Sequence, residues 1–343
     1  MKVAVVGATG ETGTSIVNGL LESTNPQYEI TALTRHSSVQ KSEVLDLEKR
    51  GINIVAADLD SSEDELAKLL QGLDVVIAAV NLAGMSAQIP LANAAKAAGV
   101  KRFVPCFFAT IVPPKGNMRL RDMKEDVLNH VKKIYLPYTV IDVGWWYQLT
   151  LPRLPSGRTN YAHSGLQDAI PGDGNVMSAL TDLRDVGKFV ARIIADPRTI
   201  NQLVFAYNEL WTQNQVYDLL DRLSNENFKR NYVIAHALFL GFSENKNVST
   251  EAIKAGLEEA EAPGLGPESP GFYKLAQFQY WHSWGIRGDN TPEYARYLGY
   301  QNAKELYPDL QGMSLEAYTK EVLGGKAKGV YEKMRAALAS SPK

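Results

Sequence analysis

A glycine-rich turn near the start of the chain limits what it can fold into. Residues 7–13 read Gly-Ala-Thr-Gly-Glu-Thr-Gly, directly after an apolar run at 3–6 and directly before a helical stripe of Ile16, Val17 and Leu20. A strand, a tight turn and a helix in this order present unpaired N–H groups and the positive end of a helix dipole, which together bind diphosphate groups. We therefore predict a dinucleotide site formed by Gly7, Thr9, Gly10, Glu11, Thr12 and Gly13. A purely structural tight turn is the alternative.

The first half of the chain alternates strand-like and helical periods. Apolar runs predict six strands, at residues 3–6, 29–34, 53–57, 74–80, 102–105 and 138–143. Between them the spacing is helical, and Ser62 followed by Glu65 predicts a capping box. Apolar strands that alternate with helices indicate a parallel sheet covered on both faces. The predicted fold class is α/β, with a Rossmann-type doubly wound parallel sheet.

The pattern changes after Gly144. Residues 145–180 are rich in Trp, Pro and Gly, residues 181–196 predict an acidic-led amphipathic helix, and 202–207 predict a strand before a capped helix at Thr212. From residue 250 we expect charged helices broken by a loop at 263–271. We therefore divide the chain into an NAD(P)-binding Rossmann domain, 1–145, and a smaller mixed α/β substrate-binding region, 146–343. Some segments of the second region, about 181–222, are candidates to pack back on the first domain.

Composition argues against several classes of protein. The 36 basic and 38 acidic residues leave a net charge of −2, so nothing indicates a nucleic-acid or anionic-membrane surface. One cysteine, Cys106, excludes a disulfide framework and favours a reducing compartment. The five histidines lack the spacing of a metal site. Without a signal or membrane segment, we expect a cytoplasmic protein that binds no metal, and the composition leaves a homodimer open.

Arg35 ends the second predicted strand, where dinucleotide-binding folds distinguish between cofactors. A carboxylate at this point binds the ribose of NAD, whereas a basic residue accommodates the 2′-phosphate of NADP. Arginine presents a planar fork of donors that suits phosphate, and Ser37, Ser38 and Lys41 follow closely. We predict NADPH/NADP as the cofactor, with Arg35 and Lys41 at its 2′-phosphate. The alternative is a solvated charge in a loop.

Three further residues follow predicted strands. Asp58, after the third strand, either accepts a hydrogen bond from the adenine amino group or serves as a turn or N-cap residue. Asn81 and Phe108 follow the fourth and fifth strands and complete the predicted cofactor site. Cys106 is interpreted as a small buried residue rather than a nucleophile, since no neighbouring motif supplies a base.

Several runs resemble a known family. Beyond the glycine loop and Arg35, the run Val100-Lys101-Arg102-Phe103-Val104-Pro105 is similar to the NmrA-like branch of the atypical short-chain dehydrogenases. Within it, Leu136-Pro137-Tyr138-Thr139 resembles the Ile-Pro-Tyr-Thr stretch of the isoflavone reductase-like and phenylcoumaran benzylic ether reductase-like proteins. Residues 287–292 and 306–309 look like the C-terminal signature of fungal members. The likeness covers most of the chain and is most specific through residue 145.

The resemblance assigns a catalytic role to Lys124. The family's catalytic lysine lies thirteen residues before the proline of that stretch, and Lys124 occupies the matching place before Pro137. The resemblance implies an ammonium near the nicotinamide ribose that contacts the cofactor, stabilises negative charge left on a conjugated oxygen and supplies a proton. Without the resemblance, Lys124 would not stand out from Lys132 and Lys133.

The sequence departs from the family's pattern near the expected substrate. Ser-Glu-Phe-Gly after the fifth strand is here Cys106-Phe107-Phe108-Ala109, and Asn-Cys-Phe after the sixth is Gly144-Trp145-Trp146. The basic residue four positions after the lysine is Leu128, and Leu120 replaces the tyrosine of the usual Tyr-x-x-x-Lys pair. We predict that Trp145, Trp146 and Tyr147 line the substrate pocket. The aromatic cluster at 280–284 either lines it too or only packs.

Two functions are consistent with these expectations. The first is an NADPH-dependent reductase of a small aromatic or conjugated substrate, of enone, carbonyl or benzylic ether type. The second is a catalytically silent NADP(H)-binding sensor of the NmrA type that acts through a protein partner. Lys124 distinguishes them, because the resemblance implies that sensors lack a catalytic residue at this position.

Overall fold

The protein is described by a computed structural model that covers residues 1–165, 169–233 and 270–332. Strands and helices alternate through the first half, as the sequence predicts. The strands are β1 Lys2–Val6, β2 Glu29–Thr34, β3 Asn53–Ala56, β4 Val75–Ala78, β5 Arg102–Val104 and β6 Thr139–Asp142. The helices are α1 Glu11–Glu22, α2 Ser42–Lys49, α3 Glu63–Leu70, α4 Gln88–Ala97 and α5 Arg119–Lys133. All six predicted strands are confirmed.

The central sheet is parallel and doubly wound. Five strands pair in the order β3-β2-β1-β4-β5. A parallel bridge between Phe103 and Tyr138 then joins β5 to β6. The strand order reverses between β1 and β4, and sheets of this kind bind their ligands at the carboxyl edge beside such a reversal. Apart from the exposed Lys2, the residues of β1 and β4 are apolar and buried, because helices cover both faces of the sheet.

Two elements from the second half of the chain extend this domain. Strand β10, Gln202–Phe205, pairs in parallel with β6, and the helix α6, Val186–Ala195, packs on α1. The Ser15 hydroxyl on α1 links the two elements. It donates a hydrogen bond to the Leu183 carbonyl, just before α6, at 2.6 Å and accepts one from the Gly187 amide in α6 at 3.0 Å. Segments within 181–222 thus contact the first domain directly.

One predicted helix begins later than expected. Residues 181–196 were expected to form a single helix, but Ser178–Thr181 is the strand β9 and α6 starts only at Val186. The physical reason is Asp182, whose carboxylate accepts from the Arg184 amide and stabilises a short 3-10 turn before the helix. The predicted capping boxes at Ser62 and Thr212 are both present.

The remaining elements form small sheets and a C-terminal helical layer. The strands are β7 Trp145–Trp146, β8 Ile170–Pro171, β11 Glu209–Trp211, β12 Tyr232–Val233 and β13 Tyr300–Asn302, which extends the main sheet beside β10. The helices are α7 Gln213–Ser224, α8 Pro270–His282, α9 Pro292–Tyr297, α10 Ala303–Leu306 and α11 Leu315–Leu323. The features expected at 250–269 lie outside the described residues. No helix in the described ranges is long and apolar enough to cross a bilayer.

Candidate active site

The glycine loop has the geometry of a diphosphate cradle. Gly7 has a φ of +80°, and a Cβ there would lie 2.3 Å from the Ala79 carbonyl oxygen. A Cβ on Gly13 would lie 2.0 Å from the Gly7 oxygen, so α1 can approach β1 this closely only with glycine. Gly10 is the N-cap of α1 and offers no side-chain oxygen to the first amides of the helix. Thr9 and Gly10 are exposed, and Glu11 and Thr12 at the start of α1 are partly exposed.

Basic groups gather where β2 ends. Arg35 is exposed and begins a short 3-10 turn, His36–Ser38, which leads to Lys41 at the start of α2. Thr9 and Gly10 are likewise exposed, at the carboxyl end of the neighbouring strand β1. Arg35 and Lys41 therefore follow the strand that pairs with β1, which leads into the glycine loop, and their predicted role at the 2′-phosphate stays a prediction.

Asp58 and Asn81 both make local contacts. The Asp58 carboxylate accepts from the His36 backbone amide at 3.3 Å and lies 2.9 Å from its Nδ1. Ser62 is the N-cap of α3, so Asp58 is not that cap. The side-chain oxygen of Asn81, just after β4, accepts from the Gly84 amide at 3.1 Å. The predicted roles of both residues at the cofactor stay predictions.

Lys124 is buried at the carboxyl edge of the sheet. It lies on α5 and is only 6% exposed. Its Nζ donates to the main-chain oxygens of Cys106 and Phe107, both at 2.7 Å, and lies 5.9 Å from the centroid of the Phe107 ring. Burying an ammonium costs free energy unless carbonyl oxygens replace its water, and these two carbonyls do so.

The surroundings of Lys124 shift its proton affinity. Burial lowers the pKa of the ammonium below its ordinary value, and the positive charge of Arg121 lowers it further, while Asp142 opposes the shift. A lysine with a lowered pKa is a better proton donor at neutral pH than a solvated one. This environment sets Lys124 apart from Lys132 and Lys133, which are exposed on the same helix.

A buried ionic network lies beside Lys124 and was not anticipated from the sequence. Arg121 donates from Nε to Glu125 at 2.8 Å and from Nη1 to Asp142 at 2.7 Å. Its Nη2 donates to the Tyr300 hydroxyl at 2.6 Å, and that hydroxyl also lies 2.7 Å from Asp142 Oδ2. The i, i+4 spacing of Arg121 and Glu125 is a signal in the sequence. The contact with Tyr300, 179 positions away, leaves no local signal.

The loop that follows β5 connects this network to Lys124. The Arg121 guanidinium lies over the Phe107 ring, 4.7 Å from its centroid. Phe108 has a φ of +39°, a left-handed conformation that is rare for an aromatic residue, and its amide donates to the Ile141 carbonyl at 2.8 Å. The Cys106 amide donates to Gln88 Oε1 at 2.8 Å and its thiol lies 3.3 Å from the Val80 oxygen. Cys106 is 8% exposed, in agreement with the interpretation of a buried residue.

Aromatic side chains surround the residues that follow β6. The Trp145 ring lies 5.2 Å from that of Tyr280 and 5.6 Å from that of Trp284. Trp146 stacks on Tyr331 at 6.1 Å. Tyr147 points elsewhere, because its buried hydroxyl donates to Glu209 Oε2 at 3.0 Å and its ring lies against Tyr318. Trp145 and Trp146 are therefore gathered with the 280–284 cluster and the C-terminal segment, while Tyr147 belongs to the core beneath α11.

A metal site is not found among the described residues, where no group of three His, Cys, Asp or Glu side chains could hold an ion. The doubly wound parallel sheet, with its glycine loop at the strand-order reversal, defines a Rossmann-type fold. Residues 1–267 match the NmrA-like family, and the chain belongs to that family.

Comparison with individual proteins agrees with this family assignment. The asnovolin J 5′,6′-dehydrogenase of Aspergillus novofumigatus is 45% identical over 327 residues, which is 95% of this chain and 96% of that protein. Eugenol synthase 2 of Clarkia breweri is 25% identical and covers 92% of this chain and 97% of its own length. Among solved structures, the NADPH complex of leucoanthocyanidin reductase from Vitis vinifera has a TM-score of 0.74 at 21% identity, over 94% of this chain and all of that one. The last of these comparisons supports the fold.

Proposed function

We propose that this protein is an NADPH-dependent reductase that transfers hydride to a small aromatic or conjugated substrate, of enone, carbonyl or benzylic ether type. The chain belongs to the NmrA-like family and is 45% identical to a fungal dehydrogenase, which supports an oxidoreductase, and we infer NADPH as its cofactor. The observation that carries the proposal is the buried Lys124 ammonium, held by two main-chain oxygens beside the carboxyl edge of the sheet.

The chain's own residues suit NADPH. Amides at the start of α1, together with the glycine loop and Thr9, bind the diphosphate. Arg35 binds the 2′-phosphate with its planar guanidinium, and Lys41 adds a second positive charge. Asp58, Asn81 and Phe108 complete the cofactor site along the ends of β3, β4 and β5. The bound cofactor supplies the hydride.

Lys124 acts on the substrate oxygen. Two of its three N–H bonds are used by the Cys106 and Phe107 carbonyls, and the third is available to a substrate oxygen that gains negative charge. The ammonium stabilises this charge and donates the proton from Nζ, a contribution of about 10²–10⁴-fold in rate. The lowered pKa of Lys124 favours the proton transfer.

We assign substrate binding to residues 146–343 together with Trp145, which borders this region. Trp145 and Trp146 form its aromatic wall, and Tyr147 lies behind them. Indole rings bury large planar surfaces and stack on other rings, so the wall favours an aromatic or conjugated ligand. A cytoplasmic location is part of the proposal, because one buried free cysteine fits a reducing compartment. The fungal relative named as a dehydrogenase is the strongest support for a redox reaction.

The test combines binding and turnover. NADPH binding is followed by the fluorescence of its nicotinamide, and oxidation by its near-ultraviolet absorbance, with a panel of aromatic enones, quinones and benzylic ethers. We expect tight NADPH binding and turnover of at least one class in the panel. Tight binding with no turnover of any class would instead favour the silent sensor.

A further inference from the structure

The last described segment of the chain returns to the glycine loop. Helix α11 ends at Leu323, and the segment 324–332 that follows is hydrogen-bonded to the Tyr161 hydroxyl. This hydroxyl donates to the Val322 carbonyl at 2.9 Å and accepts from the Ala327 amide at 3.2 Å. Val330 is only 2% exposed, so the segment is packed against the domain.

Tyr331 joins two parts of the site that are distant in sequence. Its backbone amide donates to Glu11 Oε1 at 2.9 Å, across 320 positions. Its ring stacks on Trp146, with centroids 6.1 Å apart and planes at 24°. Glu11 opens α1 beside the glycine cradle, and Trp146 follows β6. Tyr331 therefore spans the carboxyl edge of the sheet between the dinucleotide loop and the aromatic wall.

The backbone at Tyr331 is strained. Its φ is +55°, in the left-handed region that residues other than glycine seldom occupy. Such a conformation persists only where surrounding contacts impose it, and it concentrates at functional sites. Here the hydrogen bond from the Tyr331 amide to the Glu11 carboxylate and the stack on Trp146 are the contacts that hold it.

The Tyr331 hydroxyl is also influenced by Cys106, the residue whose main-chain oxygen binds Lys124. Burial raises the pKa of this hydroxyl, and the neighbouring Tyr280 and Glu11 raise it further. The raised pKa keeps this hydroxyl a neutral phenol well into the alkaline range.

We propose that Tyr331 closes the nicotinamide end of the cleft and is a specificity-determining residue for the substrate. The inference rests on the proposed function, because it assumes that NADPH lies between the glycine loop and Lys124. With the ring stacked on Trp146, water is excluded from the site and a planar substrate finds a second aromatic surface. The bond to Glu11 fixes the position of the ring relative to the dinucleotide loop.

The experiment measures how well the cleft is closed, without any need for turnover. Acrylamide quenching of the fluorescence of bound NADPH is compared between the native protein, Tyr331→Ala and Tyr297→Ala. Tyr297 is 82% exposed and serves as a matched control on the far helix α9. We expect the quenching constant to rise several-fold in Tyr331→Ala alone, with NADPH affinity nearly unchanged.

A second variant separates closure from folding. Tyr331→Phe keeps the ring and the backbone amide, so it should retain the native protection of NADPH even if the alanine variant is poorly folded. With the enone 4-phenyl-3-buten-2-one as the probe substrate, Tyr331→Ala should raise KM about three- to tenfold, the value of one aromatic contact, and change kcat less.

The outcomes differ for the two proposals. Unchanged quenching in a folded Tyr331→Ala protein that binds NADPH would overturn the role of Tyr331 and leave the reductase intact. Tyr331→Phe with lost protection would also overturn it, since the ring is the proposed barrier. If the native protein bound no NADPH, the proposed function and this inference would both be wrong.

Discussion

Lys124 holds its ammonium nitrogen 2.7 Å from the main-chain oxygen of Cys106. That oxygen belongs to the loop after β5, one residue before the ring over which the Arg121 guanidinium lies. The contact holds a buried ammonium at the carboxyl edge of the sheet, with its position set by main-chain oxygens rather than by a carboxylate. The pKa of Lys124 depends on its burial and on the neighbouring charges, and this pKa can be measured.

Arg35 is expected to select the phosphorylated cofactor. Arg35→Ala should weaken NADPH binding about ten- to hundredfold, since a charge-assisted contact contributes about 1.5–3 kcal/mol, and should change NADH binding little. Fluorescence titration with both nucleotides measures this. Arg296→Ala, which removes a guanidinium paired with Glu305 far from the loop, is the control. Equal losses for both nucleotides would remove Arg35 from the 2′-phosphate site.

Gly13 is expected to matter equally for both nucleotides. In Gly13→Ala the new Cβ would meet the Gly7 oxygen, so α1 must move away from the loop and the diphosphate cradle opens. Since NADPH and NADH share the diphosphate, the same titrations should show a comparable loss for each. Native affinity in this variant would contradict the placement of the diphosphate.

The pH dependence of turnover reports on Lys124. The ammonium is the active form, and burial lowers its pKa, so activity should be retained at low pH and lost as the pH rises through this lowered value. The alkaline limb of the kcat/KM profile should therefore lie below the ordinary lysine value of about 10.4. A profile that stays flat up to that value would show that Lys124 is not the titrating acid.

Asp142 is expected to contribute strongly to stability. Asp142→Ala leaves Arg121 buried without its main carboxylate partner, which should lower the free energy of unfolding by about 3–5 kcal/mol in urea titration. Glu305→Ala breaks an exposed pair with Arg296 and should cost no more than about 1 kcal/mol. If the two variants lost equal stability, the buried network would be of little structural importance.

Much of the fold was predictable because its signals are local. Apolar runs, the capping boxes at Ser62 and Thr212 and the glycine loop each depend on a few neighbouring residues, and the structure contains all of them. The start of α6 was misjudged because Asp182 stabilises a separate turn, and its partner Gln148 lies 34 positions away.

The candidate site was predictable only in part. Arg35 and the cradle could be inferred from their places after β2 and β1, but Lys124 stood out only through the family resemblance. The Arg121 network and Tyr331 depend on contacts across 179 and 320 positions, which no periodicity records. Tyr147 was grouped with Trp145 and Trp146 by sequence, yet its hydroxyl bonds to Glu209 and turns it into the core.

The role of Lys124 is tested most directly by single-turnover reduction in Lys124→Met and in Lys133→Met, an exposed lysine on the same helix. With NADPH bound and an accepted aromatic substrate in excess, we predict that Lys124→Met reduces the rate about 10²–10⁴-fold while NADPH affinity changes only a few fold. Lys133→Met should react like the native protein. An unchanged rate in Lys124→Met would contradict the proposed mechanism.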